Sequence, residues 1–364
     1  MRVAVLGAGG TIARAIVRDL ADSPEVTEFV LIDLDLPAAE RVAADQSAGK
    51  GRAVSVDAGD DGLAGAIRGC QVLVNSASYR INLDAMDAAL TAGCHYIDLG
   101  GLYWMTARQL ELDDRFARAN LLGVLGMGAA PGKTNVMAAL AVRELAPDPI
   151  DEILISAAGR DPLAGATLRL PYALRTLIDE LTMAAVVLRE GSAVELPAGS
   201  SGGSVDFPEP IGPAETIYTL HSELQTFGPS FGARRASFRL SLPPVLLGRL
   251  EALLDASDDD LAAVAAASLP PSAEAIAAHV AEVRTVGGRV ARVTAINRPM
   301  PDWRLGGGIV STAAPAAALV RLIARGRIDA VGVLPPEVCV DPDDLFPELE
   351  RRGCSFQVEV GELA

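Results

Sequence analysis

The chain has 364 residues, half of them hydrophobic, a formal net charge of −16 and a mean hydropathy of +0.30. That length holds two ordinary domains with cores of their own, and no apolar run approaches the roughly 20 residues of a membrane helix. The acidic balance argues against nucleic acid and anionic membranes as partners; a cationic substrate fits it, and so does plain solubility.

Met1 leads straight into a strand, so no signal peptide is expected. Cys70, Cys94, Cys339 and Cys354 are scattered, without CxxC or metal-ligand spacing. They predict reduced thiols, no metal site and a cytoplasmic location.

Residues 1–126 alternate strand and helix. Strands are predicted at 2–6, 28–33, 53–57, 71–75, 95–98 and 121–125, with helices at 11–21, 37–45, 82–91 and 106–120 between them. Pro37 suits the first turn of its helix and Gly93 stops the third. Six apolar strands with helical crossovers predict an α/β fold, a doubly wound parallel (Rossmann) sheet. Residues 127–305 change rhythm and predict a second, α+β domain. Its expected elements are a helix at 135–145, a strand at 152–158, a helix at 172–189, loop at 197–213, a strand at 216–224, helices at 263–268 and 273–283, and a strand at 289–296. The segment 306–364, with a helix at 314–325 and a last helix and strand, is expected to return to the first domain.

The first strand and helix are joined by Gly7-Ala8-Gly9-Gly10-Thr11-Ile12. Gly7 and Gly9 fill the first two positions of G-x-G-x-x-G, Ile12 occupies the third, and Ala13 follows. A glycine turn between strand and helix offers backbone N–H groups and a helix N-terminus to a pyrophosphate. Asp33 ends the second strand where a ribose diol is bound in such folds. Asp33 and Asp35 would repel a 2′-phosphate, and no basic residue intervenes before Arg41, which favours NAD over NADP. Asp57 ends the third strand, near an adenine position, and Asn75, Ser76 and Ala77 end the fourth, near the nicotinamide ribose. Ordinary strand-end caps would look the same. The run Gly126–Thr134 imitates a phosphate loop but misplaces its glycines, and Pro131 suits it poorly.

Several ordered motifs resemble the saccharopine dehydrogenase-like oxidoreductases, a family that includes lysine 6-dehydrogenases and carboxynorspermidine synthases. They are the glycine turn, Gly93-Cys94-His95-Tyr96-Ile97-Asp98, Ala130-Pro131-Gly132-Lys133-Thr134-Asn135, the stretch from Glu215 to Glu223, Gly332-Val333-Leu334-Pro335-Pro336-Glu337, and Phe346-Pro347-Glu348-Leu349. Ile12 and Lys133 depart from the family pattern. The resemblance implies a nicotinamide-binding domain and a second domain with a mixed sheet that holds part of the substrate pocket and the contact of a homodimer. It also implies oxidation of a C–N bond, or reduction of an imine, in a small amine or amino acid. Oxidative deamination of L-lysine at its 6-amino group is the most specific expectation. A condensing imine reductase and a non-catalytic dinucleotide-binding scaffold are the alternatives.

That chemistry needs the nitrogen uncharged when hydride leaves, hence an acid–base group. Asp98, at the carboxyl end of the fifth strand, is a candidate catalytic residue, or else a cap on the Gly100-Gly101 turn. His221 and Glu223, two apart in an extended stretch, share a face and form the second candidate; a supporting His–Glu pair is the alternative. His95 reads as packed and His279 as lying on the solvated face of an alanine-rich helix. Tyr96, Asn135, Arg169 and Arg175 are candidate substrate-binding residues, the two arginines as forks for a carboxylate or else as surface ion pairs.

Overall fold

The computed structural model describes residues 1–60, 62–165 and 167–362. The chain forms two compact units, Met1–Asn135 with Thr312–Leu349, and Val136–Ser311 with Glu350–Ala364.

The first unit is a seven-stranded parallel sheet. Its strands run in the order Gly332–Leu334, Leu122–Val124, His95–Asp98, Val72–Asn75, Arg2–Leu6, Glu28–Ile32 and Gly51–Val54. The central strands are apolar on both faces because helices cover both, and Val3, Val5, Val30, Leu31, Val72 and Val74 are fully buried. Helix Thr11–Ala21 turns Ala13, Ile16, Val17 and Leu20 onto the sheet. Helix Asn82–Ala92 ends on Gly93, whose φ of 71° permits the left-handed cap. The expected helix at 106–120 is two shorter ones, Leu102–Leu110 and Asp113–Arg118.

The tail divides. Its strand Gly332–Leu334 joins the first sheet as an edge, held by a 2.7 Å hydrogen bond from the Val333 N–H to Asp113. Within the same unit Arg321, only 2% exposed, donates to Glu348 (2.8 Å) and Asp19 (2.9 Å), which ties the returning helix to the first one. Residues beyond Leu349 do not follow: the strand Cys354–Glu362 pairs with Arg289–Asn297 in the other sheet. The first boundary also lies nine residues later than the expected 126. The loop after Gly126 is bonded into the first unit through the main-chain and side-chain oxygens of Asp98.

The second unit carries a nine-stranded mixed sheet. Its main path is Ser201–Asp206, Pro213–Tyr218, Arg235–Ser241, Ile150–Arg160, Ile276–Thr285, Arg289–Asn297 and Cys354–Glu362; Ala185–Arg189 and Ser192–Leu196 branch from Arg235–Ser241. Only Arg235–Ser241 and Ile150–Arg160 run parallel. Four expectations fail here; the first is the strand at 216–224, which stops at Tyr218 and gives way to the 3-10 turn Ser222–Gln225. The segment read as a helix at 273–283 is the strand Ile276–Thr285, paired along both edges. Alanine's helical preference is overridden because small side chains suit a strand enclosed on both sides. The expected helix at 172–189 stops at Thr182 and continues as the strand Ala185–Arg189. The expected loop at 197–213 contains the strand Ser201–Asp206.

Among the described residues one helix, Gly307–Ala324, is long and apolar enough to cross a membrane by length and composition, with a mean hydropathy of 1.5; 78% of it is buried within the protein.

Candidate functional site

In the first unit the site is built around the glycine turn. Gly7 has φ 74°, and a Cβ there would come within 2.9 Å of the Ala77 backbone, so only glycine fits between the first and fourth strands. A Cβ on Gly9 would lie 2.7 Å from Ala38 Cβ and 3.2 Å from the Asp33 carboxylate. The Gly9 N–H donates to Asp33 Oδ2 at 2.8 Å, and the Asp35 N–H donates to Oδ1 at 3.0 Å. Asp33 therefore holds the turn shut from the second strand. Gly10 is the N-cap of helix Thr11–Ala21 and offers no side-chain oxygen to its first turn, so those amides point at whatever lies beyond the turn. Thr11 is exposed and Ile12 half-buried, while Ala13 is fully buried and makes the close helix–sheet approach that glycine makes in the full fingerprint. The arrangement fits a dinucleotide pyrophosphate.

The neighbouring candidates differ. Asp57 is exposed and accepts from the Gly59 N–H at 3.0 Å, closing its own turn. Ser76 is anchored by its main-chain N–H on Leu6 O, and its hydroxyl oxygen is buried without a partner among the described residues. Asn75 is 1% exposed and faces inward: it donates to Asn82 (2.9 Å) and to the Tyr96 hydroxyl (3.2 Å) and accepts from the Ala77 N–H. Tyr96 is fully buried, which pushes its hydroxyl well above its usual range and withdraws it from substrate.

Asp98 is the hub of this network and not an exposed acid. One oxygen accepts the N–H groups of Gly100 (2.9 Å) and Gly126 (2.6 Å), the other the amides of Gln109 (2.6 Å) and Asn82 (3.1 Å). Burial pushes its carboxyl up, and these donors oppose that shift. With both oxygens engaged, Asp98 positions the loops after the fifth and sixth strands instead of exchanging protons with a substrate. The loop at 126–135 is likewise bonded to itself. Asn135 accepts the Gly132 N–H at 2.8 Å and donates to Glu337 at 2.7 Å, so the run that imitates a phosphate loop spends its amides internally. His95 accepts the Leu122 N–H at 3.0 Å and is held below its usual range by burial.

The second unit contains a separate buried cluster. His221 is extended and caps the short 3-10 turn Ser222–Gln225, in which Glu223 is the second residue. That turn, and not a shared strand face, brings Glu223 Oε2 to His221 Nδ1 in a hydrogen bond. The imidazole stacks on Phe238, with centroids 3.5 Å apart and planes 13° from parallel. Helix Leu174–Thr182 adds Glu180, fully enclosed and accepting from the Tyr172 hydroxyl at 2.5 Å. Burial pushes the Glu180 carboxyl up to about 7; His221 and the Tyr172 hydrogen bond oppose this, and the nearby Asp179 and Glu223 charges reinforce it. Tyr172 is raised well above its usual range by burial and by Glu180. Glu180 was missed in the sequence because a carboxylate beside Asp179 near a helix end reads as solvated.

Arg175 is occupied, while Arg169 makes one bond and keeps a buried Nε without a partner among the described residues. Arg175 pairs with Asp179 at 3.2 Å and with Asp258, and Arg169 donates to Pro270 O at 2.8 Å. His279 sits on a strand and is 5% exposed, not on the solvated face of a helix. Among the described residues no group of three His, Cys, Asp or Glu side chains is placed to hold a metal ion.

Residues 3–124 match the family model of the saccharopine dehydrogenase NADP binding domain. A curated relative, carboxyaminopropylagmatine dehydrogenase of Synechocystis sp., is 25% identical over 266 residues, covering 69% of this chain. The match spans 65% of that relative's own length. Saccharopine dehydrogenase (L-Glu forming) from Saccharomyces cerevisiae has a TM-score of 0.70 at 14% identity, covering 99% of each chain. Homospermidine synthase from Legionella pneumophila, solved in complex with NAD, has a TM-score of 0.76 at 11% identity, covering 100% of this chain and 92% of that one.

Proposed function

We propose that this chain is a saccharopine dehydrogenase-like oxidoreductase that binds NAD(P) and makes or breaks a carbon–nitrogen bond of an amino acid or polyamine, with a secondary amine as the reduced substrate. The observation that carries the proposal is the buried Tyr172–Glu180–His221–Glu223 cluster. An amine must lose a proton before its carbon gives up hydride, and an imine must gain one to be reduced. Glu180, raised to about 7, exchanges a proton near neutral pH. Donation from Nδ1–H to the Glu223 carboxylate fixes the His221 ring and leaves Nε2 as its exchanging atom. A carboxylate-rich enclosure also favours a cationic amine over a neutral alcohol.

Gly7, Gly9, Gly10 and the start of helix Thr11–Ala21 would hold the cofactor pyrophosphate, and Asp33 the ribose diol. The dinucleotide, when bound, supplies or accepts the hydride. The family model is named for NADP, yet the carboxylates of Asp33 and Asp35 support NAD, because they would repel a 2′-phosphate. The curated relative's name supports an amine substrate; the solved structures, at such low identity, support the fold.

The test is a panel of amino acids and polyamines, each alone and with aldehydes, following NADH and NADPH absorbance. NADH consumption that needs both an amine and an aldehyde is the expected result. NADH production from L-lysine alone would replace it with oxidative deamination at the 6-amino group. No turnover with any pair, together with tight NADH binding that His221→Ala and Glu223→Gln leave unchanged, would leave only a dinucleotide-binding scaffold.

A further inference from the structure

We propose that the sheet of the second unit carries a small-oxyanion site built on Arg239, Ser156 and Ser237, separate from the dinucleotide turn and from the His221 cluster. Tyr218, Arg239 and Ser156 are register partners on three adjacent strands, so their side chains stand in a row on one face; Ser237, two residues from Arg239, shares that face. Phe238, which stacks on His221, points to the opposite face.

Among the described residues, three polar groups in this row lack partners. The hydroxyl oxygens of Ser156 (0% exposed) and Ser237 (6% exposed) are sealed from solvent and bonded to nothing, and so is Arg239 Nε. The Arg239 guanidinium makes one hydrogen bond, a 3.4 Å contact to Gly202 O. Two sealed hydroxyls and a sealed Nε in one row, on a half-buried guanidinium with one long bond, are an arrangement that native proteins rarely leave unfilled. The nearby carboxylates do not fill it: Arg284 bridges Glu152 (2.8 Å) and Glu282 (2.5 Å).

Gly202 also leaves room for the stem of this arginine. A Cβ on Gly202 would fall 3.0 Å from both Arg239 Cγ and Cδ and 2.6 Å from Thr216 Oγ1, so the glycine supplies room, not backbone freedom. Tyr218 and Arg239 are half-exposed, which leaves the outer end of the row open to solvent.

Two serine hydroxyls beside a guanidinium match the chemistry of a carboxylate or phosphate. The ligand class is a small oxyanion, and its oxygens would accept from Nε and from both hydroxyls. In a chain of net charge −16 a fortuitous surface attraction for anions is not expected, so binding here would be specific.

Titrating the full-length protein with inorganic phosphate and, separately, with succinate by calorimetry tests the proposal and tells the two oxyanion sources apart. One saturable site is expected, with the same Kd with and without saturating NADH. Arg239→Ala should weaken it at least tenfold and Ser156→Ala several-fold, while Arg298→Ala leaves it unchanged. Gly202→Ala displaces the arginine stem without removing the charge and should also weaken binding, so a misfolded Arg239→Ala would not end the test. Absence of a saturable site for both anions, or a site indifferent to both Arg239→Ala and Gly202→Ala, would overturn the proposal. NADH binding is read in the same samples, so failure of the dinucleotide reading shows independently.

Discussion

Replacing Glu180 with Gln isolates the cost of burying a carboxylate in the second unit. Its folded value of about 7 lies above the ordinary 4.5, so between those limits the folded state binds more protons than the unfolded one. Stability therefore falls as pH rises through that window, and the penalty is complete above it. The shift corresponds to about 3 kcal/mol at pH 8.5 and about 2 kcal/mol at pH 6, since each pKa unit is about 1.4 kcal/mol. Glutamine keeps an acceptor for the Tyr172 hydroxyl and carries no charge, so Glu180→Gln should be more stable than the parent by amounts approaching these, with the larger gain at the higher pH. The chain has two tryptophans, Trp104 in the first unit and Trp303 in the second. In a Trp104→Phe background, urea unfolding followed by fluorescence reports the second unit. A gain that is equal at pH 6 and pH 8.5, or a loss at both, would refute the reasoning. If Glu180 also carries the proton in turnover, the same variant loses activity and flattens the pH profile around 7.

Three further outcomes follow from the first unit. Gly9→Ala forces a Cβ against Ala38 and the Asp33 carboxylate, and should weaken NADH at least tenfold in a fluorescence titration while the protein remains folded. Asp98→Asn turns one of two filled acceptor oxygens into a donor facing other donors; a loss of roughly 2–4 kcal/mol by denaturation is expected, and unchanged stability would show that Asp98 is not the hub. Arg321→Ala leaves Asp19 and Glu348 buried with less compensation, and should cost about 3–5 kcal/mol, measured as a lowered urea midpoint of the first unit.

The first unit was legible because its signals are local. Apolar strands buried on both faces, a glycine turn and an acid at the next strand end all write themselves into short windows of sequence. The second unit was not. Ala277, Ala278 and Ala281 carry a helical preference that two neighbouring strands override, and nothing nearby in the sequence announces those neighbours. The site divides the same way. Asp33 sits where strand and turn spacing put it, whereas Asp98 needed knowledge of Asn82, Gln109 and Gly126, brought to it from three separate segments. His221 and Glu223 meet through a 3-10 turn, where an extended segment was expected. Glu180 was invisible, because its chemistry comes from enclosure and enclosure has no short-range signature.

The strand Gly332–Leu334 has a consequence for how the chain is made. It covers the edge of Leu122–Val124, yet it emerges from the ribosome some two hundred residues later. Until then the first sheet presents an unpaired apolar border, the kind of surface that recruits other strands. The second unit waits longer still, for Cys354–Glu362. Neither unit can close from a contiguous piece of chain, so a nascent protein stopped short of residue 334 should be a chaperone client and prone to aggregate, however well its glycine turn is formed.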